Sequence, residues 1–187
     1  TLGVLLAFAA NSIFCRLALL GRQIDPAVFA AVRLSSGALV LALICALRGE
    51  KILPEPREGW APGLLLFLYA IPFTFAYTDL PAGTGALLLF GAVQITMMLA
   101  ALRSGYRPSG VEWSGLALAF GGLVYLTAPG VEAPPLAGSA LMAVAGIAWG
   151  LYTIRGRRSG SPLSDTGRNF ILAALPSLII GCIALPG

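Results

Sequence analysis

Residues 26–47 read PAVFAAVRLSSGALVLALICAL, an apolar stretch in which Arg33 is the only charged residue. A helix rises 1.5 Å per residue, so about 20 residues cross the hydrocarbon core of a bilayer. Turn-forming residues flank the stretch, with Gly21 and Pro26 at its start and Pro54 beyond its end. We therefore predict that residues 26–47 form a transmembrane helix.

Six further runs of similar length and composition occur along the chain, separated by short connections that contain glycine and proline. Strands of a membrane barrel would be about half as long and would alternate apolar with polar residues, which these runs do not. The sequence therefore predicts an all-α integral membrane protein with about seven visible transmembrane helices. The predicted spans are Leu2–Leu20, Pro26–Leu47, Ala61–Leu80, Thr84–Leu102, Val111–Ala128, Leu136–Ile154 and Asn169–Pro186.

The overall composition agrees with a lipid environment and excludes several kinds of site. Of the 187 residues, 58% are apolar and 11% are charged, too few charges to cover a soluble domain. The chain has no histidine, and its three cysteines lie in apolar runs without the spacing of a zinc site. We expect no metal, no cofactor and, because the basic residues are confined to a few connections, no nucleic-acid partner.

The distribution of basic residues predicts the orientation in the membrane. Arginine and lysine collect in cytoplasmic connections of membrane proteins. The first, third and fifth connections carry only Arg22, whereas the second, fourth and sixth carry Arg48, Lys51, Arg57, Arg103, Arg107, Arg155, Arg157, Arg158 and Arg168. We therefore expect a cytoplasmic N-terminus and a location in the cell inner membrane.

An internal repeat is indicated after residue 135. Phe8 precedes Arg16 by eight residues, Trp149 precedes Arg157 by the same spacing, and a proline follows in the next connection each time. Five spans in one unit is an odd number, so a second unit would have inverted topology, as in many secondary transporters. We predict a first five-helix unit at residues 1–128 and the first two helices of an inverted unit at residues 129–187.

Three stretches carry a family resemblance: residues 79–93 read DLPAGTGALLLFGAV, residues 101–108 read ALRSGYRP, and residues 112–122 read EWSGLALAFGG. They resemble the fourth and fifth helices of EamA-domain proteins in the drug/metabolite transporter (DMT) superfamily. Such proteins usually have ten helices, so we expect this chain to be truncated. The chain departs from the family pattern at Tyr106, where the family commonly has glutamate, and at Val93, where it often has proline.

Charged residues near the predicted outer face form the first candidate site. Asn11, Arg16, Arg33 and the pair Trp149-Gly150 fall where the family has similar residues. Arg33 lies about 10 Å and Arg16 about 6 Å below the outer ends of their helices, with Asp79 at the end of the third. We expect the two arginines to attract anionic or zwitterionic substrates, with Asp79 as a charge partner. Alternatively, they reach lipid phosphates or hold helix ends together.

Polar and aromatic residues at depth complete the candidate substrate site. Asn11 and Gln94 lie about 14–15 Å from the outer ends of their helices, near the midplane. Their amides suit a polar substrate, although hydrogen bonding between helices explains them equally well. Four aromatic residues are candidates for lining the site: Tyr69, Tyr77, Trp149 and Tyr152. Trp149 is preferred because it lies deeper in its span, and anchoring at the membrane interface is the alternative for Tyr77 and Tyr152.

Small residues predict close helix packing in two helices. Gly146 and Gly150 form a GxxxG pattern, and Gly115, Ala119 and the pair Gly121-Gly122 give the fifth span a smooth side. We expect both sets to be structural.

The resemblance implies a secondary transporter that exports small polar metabolites or drugs by alternating access. Its expected partners are membrane lipids and a small-molecule substrate, with a homodimer left open and no coupling ion indicated. A scaffold or assembly subunit without a cavity is the alternative. A membrane-embedded enzyme is a weaker one, because the chain lacks histidine and any catalytic pattern of acidic residues.

Overall fold

The computed structural model describes residues 2–21, 23–50, 52, 59–126, 134–157 and 159–184. Four basic residues used in the orientation argument lie outside the described residues: Arg22, Lys51, Arg57 and Arg158. The predicted ends of the fifth and seventh spans, Ala128 and Pro186, lie outside them as well.

The described residues form seven α-helices and no strand. Five of them are long and apolar enough to cross a membrane, while α3 and α5 are shorter, with 16 and 17 residues. The helices are α1 (Leu2–Leu20), α2 (Pro26–Leu47), α3 (Ala61–Ala76), α4 (Ala82–Arg103), α5 (Gly110–Leu126), α6 (Leu136–Gly156) and α7 (Pro162–Ala184). The chain is therefore a multi-pass, all-α membrane protein.

The predicted bounds of α1 and α2 are confirmed, whereas α3 ends four residues earlier than predicted. The Asp25 carboxylate accepts hydrogen bonds from the backbone N–H groups of Ala27 and Val28 and so caps α2. After Ala76 the chain turns, and the N–H of Thr78 bonds the carbonyl of Phe75. The residues after Ala76 up to Leu80, which composition alone assigned to the span, therefore belong to this turn and not to the helix.

The predicted start of α7 is wrong, because the helix begins seven residues earlier, at Pro162 rather than Asn169. Proline suits the first helical position, and Asp165 in the first turn complements the positive end of the helix dipole. The N–H of Asp165 already bonds the carbonyl of Ser161. Arg168, which the charge count placed in a connection, therefore lies inside α7 and is only 8% exposed.

Helices α2, α3, α6 and α7 form the centre of the bundle, and glycines set their spacing. A Cβ on Gly181 of α7 would lie 2.9 Å from the Ala31 Cβ of α2, and one on Gly63 of α3 would lie 2.5 Å from Leu172 of α7. Small residues allow this close approach, which strengthens dispersion contacts where lipid supplies no hydrophobic driving force.

The GxxxG pattern of α6 packs against α4, as predicted. A Cβ on Gly146 would lie 2.6 Å from the carbonyl oxygen of Leu89, and one on Gly150 would lie 2.9 Å from the Cβ of Thr96. The Thr96 hydroxyl bonds the carbonyl of Ala92 in its own helix. The two helices therefore meet almost backbone to backbone.

The matching prediction for α5 is not confirmed by the described residues, among which its glycines make no close helix contact. Gly115, Gly121 and Gly122 have open space where a Cβ would be, and none of the described α5 side chains is buried. Composition marks a smooth helix side, but it does not show whether a neighbouring helix lies against that side.

A capping box begins α5. The Glu112 carboxylate accepts hydrogen bonds from the Ser109 N–H at 2.7 Å and from the Tyr106 hydroxyl at 2.6 Å. The Ser109 hydroxyl accepts in turn from the Glu112 N–H at 3.4 Å. The bond to Glu112 raises the pKa of the Tyr106 phenol, because the carboxylate favours the protonated hydroxyl. Glu112 is thereby assigned to helix capping.

Ser109→Ala is expected to lower the melting temperature by about 2–4 °C, because it removes the side-chain half of this cap. Ser114→Ala is the matched control, since the Ser114 hydroxyl bonds only the Val111 carbonyl in its own helix. Thermal denaturation of detergent-solubilised protein measures both variants. Equal melting temperatures for the two would show that the cap does not stabilise α5.

Candidate functional site

A cavity of about 410 Å³ lies between helices of the first predicted unit and helices α6 and α7. Helix α1 contributes Phe8 and Asn11, α2 contributes Arg33, and α3 contributes Tyr69. Trp149 of α6 and Phe170 of α7 also line it, and Gly3, Val4, Ala7, Leu34, Leu66 and Ala70 complete the lining. Its volume falls in the range of about 300–1,000 Å³ that is usual for small-molecule sites.

The Tyr69 hydroxyl is the centre of the polar part of this cavity. It accepts hydrogen bonds from the Asn11 amide at 3.5 Å and from the Arg33 guanidinium at 3.4 Å. Both bonds are at the long limit for such contacts, so they hold the three side chains together only weakly. A polar ligand can therefore take the place of the Tyr69 hydroxyl as the acceptor for Asn11 or for Arg33 without breaking a strong hydrogen bond.

Arg33 points into the bundle rather than to lipid phosphates. Its guanidinium carbon lies 4.9 Å from the ring centroid of Phe73 and 5.8 Å from that of Tyr69, within cation–π range. Its Nη1 atom is buried and has no hydrogen-bond partner. The cavity thus contains a cation whose hydrogen-bonding capacity is only partly used.

Aromatic rings form the apolar walls of the cavity. The Trp149 ring centroid lies 4.7 Å from that of Tyr69 and 6.0 Å from that of Phe8, the latter edge to face. On its other side Trp149 contacts Tyr152 at 5.4 Å. Such contacts fix ring positions and leave flat faces for a ligand. Trp149 is therefore the residue through which α6 shapes the cavity.

The structure places Arg16 outside the cavity lining, at the end of α3. Its Nη1 atom donates hydrogen bonds of 2.8 Å to the carbonyl oxygens of Tyr77 and Thr78. A cation here complements the negative end of the α3 dipole. Arg16 holds a helix end, which is the alternative considered from the sequence, and the exposed Asp79 follows directly in the same turn.

Two further candidates also lie away from this cavity. Gln94 is exposed and lines a separate space of about 240 Å³ between α4 and α5, with Phe90 and Phe120. Tyr77 is fully buried, where its ring packs on Gly85 and its hydroxyl bonds the carbonyl of Ala82. Of the six candidates for substrate binding, Asn11, Arg33 and Trp149 share the cavity, and their binding role stays a prediction.

Sequence reasoning did not identify Phe8 and Phe170 as cavity residues. From the sequence, Phe8 is only the predicted repeat counterpart of Trp149, and the two rings contact each other edge to face. Phe170 lies within the predicted seventh span, but an apolar ring in a span that is apolar on all sides gives no sign of the side it faces. Its neighbour Asn169, also missed, is 4% exposed and donates to the Tyr152 hydroxyl at 3.5 Å.

Comparison with known proteins agrees with this architecture. The EamA-like transporter family matches residues 1–128, the whole of the first predicted unit. The chain belongs to this family. EamA-like proteins are DMT-type transporters rather than enzymes, and the apolar helices described above fit a multi-pass transporter of this kind.

One relative of this EamA-like chain is Uncharacterized protein PA1977 of Pseudomonas aeruginosa. It is 51% identical over 173 residues, which are 92% of this chain and 60% of that protein. The chain thus spans about 60% of the length of this relative. No solved structure matches the chain.

Proposed function

We propose that this chain is part of a secondary transporter that exports small polar metabolites or drugs across the inner membrane by alternating access. The observation that supports this most directly is the central cavity, in which Asn11 and Arg33 face the aromatic wall made by Tyr69 and Trp149. Polar groups that converge in an otherwise apolar cavity are typical of small-molecule sites.

The cavity draws on both proposed units, as alternating access requires. Helices α1 to α3 belong to the unit at residues 1–128, and Trp149 and Phe170 belong to the unit at residues 129–187. In inverted-repeat transporters the substrate binds where the repeats meet, and relative rocking of the repeats opens the site to each side in turn. Trp149 and Phe8 stand at equivalent repeat positions and meet across this cavity.

The orientation belongs to the same proposal. With the basic connections in the cytoplasm, the N-terminus of α1 and the start of α7 lie on that side. The longer relative has room for further helices. We propose that three of them complete the second unit.

A toxicity-rescue screen of the full-length protein tests this function. Cells that overproduce it are expected to grow at concentrations of at least one drug or metabolite that stop cells with an empty vector. Asn11→Ala and Arg33→Ala are expected to lose the rescue, while Leu118→Ala on the exposed face of α5 retains it. Rescue by both cavity variants at normal expression would refute the assigned site.

The 187-residue chain alone is expected to give no saturable uptake after reconstitution in liposomes. The described residues of the proposed second unit form two helices, so we expect the cavity to lack the partner surface against which it would open and close. The compound whose toxicity the full-length protein relieves is used as the substrate, and its uptake is compared between this chain and the full-length protein. Saturable uptake by the chain alone would refute the expectation and indicate that two copies complete each other.

A further inference from the structure

We infer that the central cavity binds organic monocarboxylates with an aromatic body. This inference rests on the proposed transport function and names the substrate class of the same site. It follows from two properties of the described lining residues, their charge and their ring content.

The charge of the cavity favours an anion. Arg33 is the one charged side chain among the described residues that line it, and none of these lining residues is acidic. The Nη1 atom of Arg33 has no hydrogen-bond partner, and Nη2 makes only the 3.4 Å bond to Tyr69. An uncompensated charge at membrane depth is unfavourable, and a carboxylate is the group that a guanidinium binds with two parallel hydrogen bonds.

A single negative charge fits better than two. The other candidate cation, Arg16, is held by the carbonyls of Tyr77 and Thr78 at 2.8 Å and does not line the cavity. A dianion has two negative charges, and one of them would therefore have no positively charged side chain beside it in the cavity. The polar Asn11 amide offers a neutral contact beside Arg33 for a hydroxyl or amino substituent.

The rings of the cavity favour an aromatic body. Phe8, Tyr69 and Trp149 line the space and contact one another edge to face or tilted, which leaves ring surfaces that a further ring can contact. Aromatic walls by themselves also attract organic cations. Here the Arg33 guanidinium lies within cation–π range of Tyr69 and Phe73, and its positive charge at the cavity would repel a second cation.

Four probes with matched shapes test the inference by titration calorimetry on the full-length protein in detergent, corrected with empty micelles. Phenylpropanoate, phenylpropanol and phenylpropylamine share one body and differ in charge, while cyclohexylpropanoate keeps the carboxylate and loses the aromatic ring. Phenylpropanoate is expected to bind about tenfold tighter, or more, than the alcohol and the amine. It is expected to bind about two- to tenfold tighter than cyclohexylpropanoate.

Variants of Arg33 assign the preference to this side chain. Arg33→Gln is expected to reduce the affinity for phenylpropanoate to that for phenylpropanol and to leave the affinity for the alcohol unchanged. Arg33→Lys keeps the charge and is expected to keep the order of the four probes, so the test stands if the glutamine variant does not fold. A preference for the carboxylate that survives in Arg33→Gln would overturn the inference.

Other outcomes separate the substrate class from the proposed function. If the amine or the alcohol binds as tightly as phenylpropanoate, the cavity is a solute site but the carboxylate class is wrong. If no probe binds although a cysteine at position 11 reacts with a water-soluble reagent, the class is again wrong and the cavity stands. If position 11 is unreactive, the proposed function itself fails.

Discussion

Gly146→Ala is expected to force α4 away from α6 and to destabilise the bundle by roughly 1–3 kcal/mol, or roughly 2–12 °C in melting temperature. The added Cβ would lie 2.6 Å from the Leu89 carbonyl oxygen and 3.3 Å from the Val93 nitrogen. These are backbone atoms of α4, which no rotamer change can move. The melting temperature is measured by size-exclusion chromatography after heating in detergent.

Gly115→Ala is the matched control for this substitution. Gly115 also lies inside a helix, but a Cβ there would meet nothing within 4 Å. Alanine favours the helix over glycine by about 0.5–1 kcal/mol, so this variant is expected to melt at or slightly above the wild-type temperature. If the melting temperature of Gly146→Ala equals that of the wild type, α4 and α6 are not in the close contact described.

Trp149→Ala is expected to reduce transport by the full-length protein at least about tenfold. The substitution removes ring contacts with Phe8, Tyr69 and Tyr152, each worth about 0.5–1.5 kcal/mol, and enlarges the cavity on the α6 side. A substrate would lose a flat contact, and Tyr69 would lose the ring that fixes its position. Initial uptake rates in proteoliposomes measure the effect.

Trp113→Ala controls for the removal of a tryptophan. Trp113 lies in α5 with 48% of its surface exposed, away from the described cavity lining. Its uptake rate is expected to equal that of the wild type at equal protein per vesicle. Trp149→Phe is expected to retain part of the activity, because it keeps a ring at this position. Wild-type uptake by Trp149→Ala would remove Trp149 from the site.

Helix existence and most helix positions could be predicted from the sequence, because a membrane span is defined by its length and apolar content. The ends were harder where polar residues belong to the helix. Arg168 reads as part of a connection and Asn169 as the first residue of the span, yet α7 begins at Pro162 and buries both side chains against the bundle. Hydropathy cannot detect a polar helical turn that other helices cover.

The depth of the candidate residues in the membrane could be predicted better than the side of the helix on which each of them lies. Asn11, Arg33 and Gln94 were all placed within the membrane region, but Gln94 faces the space beside α5 and not the central cavity. A helix in lipid is apolar on all sides, so the sequence pattern does not mark its inner face. For Arg16 the sequence left two roles open, and the carbonyl oxygens at the end of α3 that accept its hydrogen bonds decide between them.

Thiol labelling at position 11 tests the central claim, a water-accessible cavity inside a lipid-embedded bundle, most directly. The assay uses full-length protein in which Cys15, Cys45 and Cys182 are replaced and Asn11→Cys is introduced. A membrane-impermeant thiol reagent is expected to label position 11 from one side of the membrane, while Leu39→Cys on the exposed apolar side of α2, which we expect to face lipid, stays unlabelled. Protection of position 11 from both sides, or equal labelling at position 39, would contradict the account.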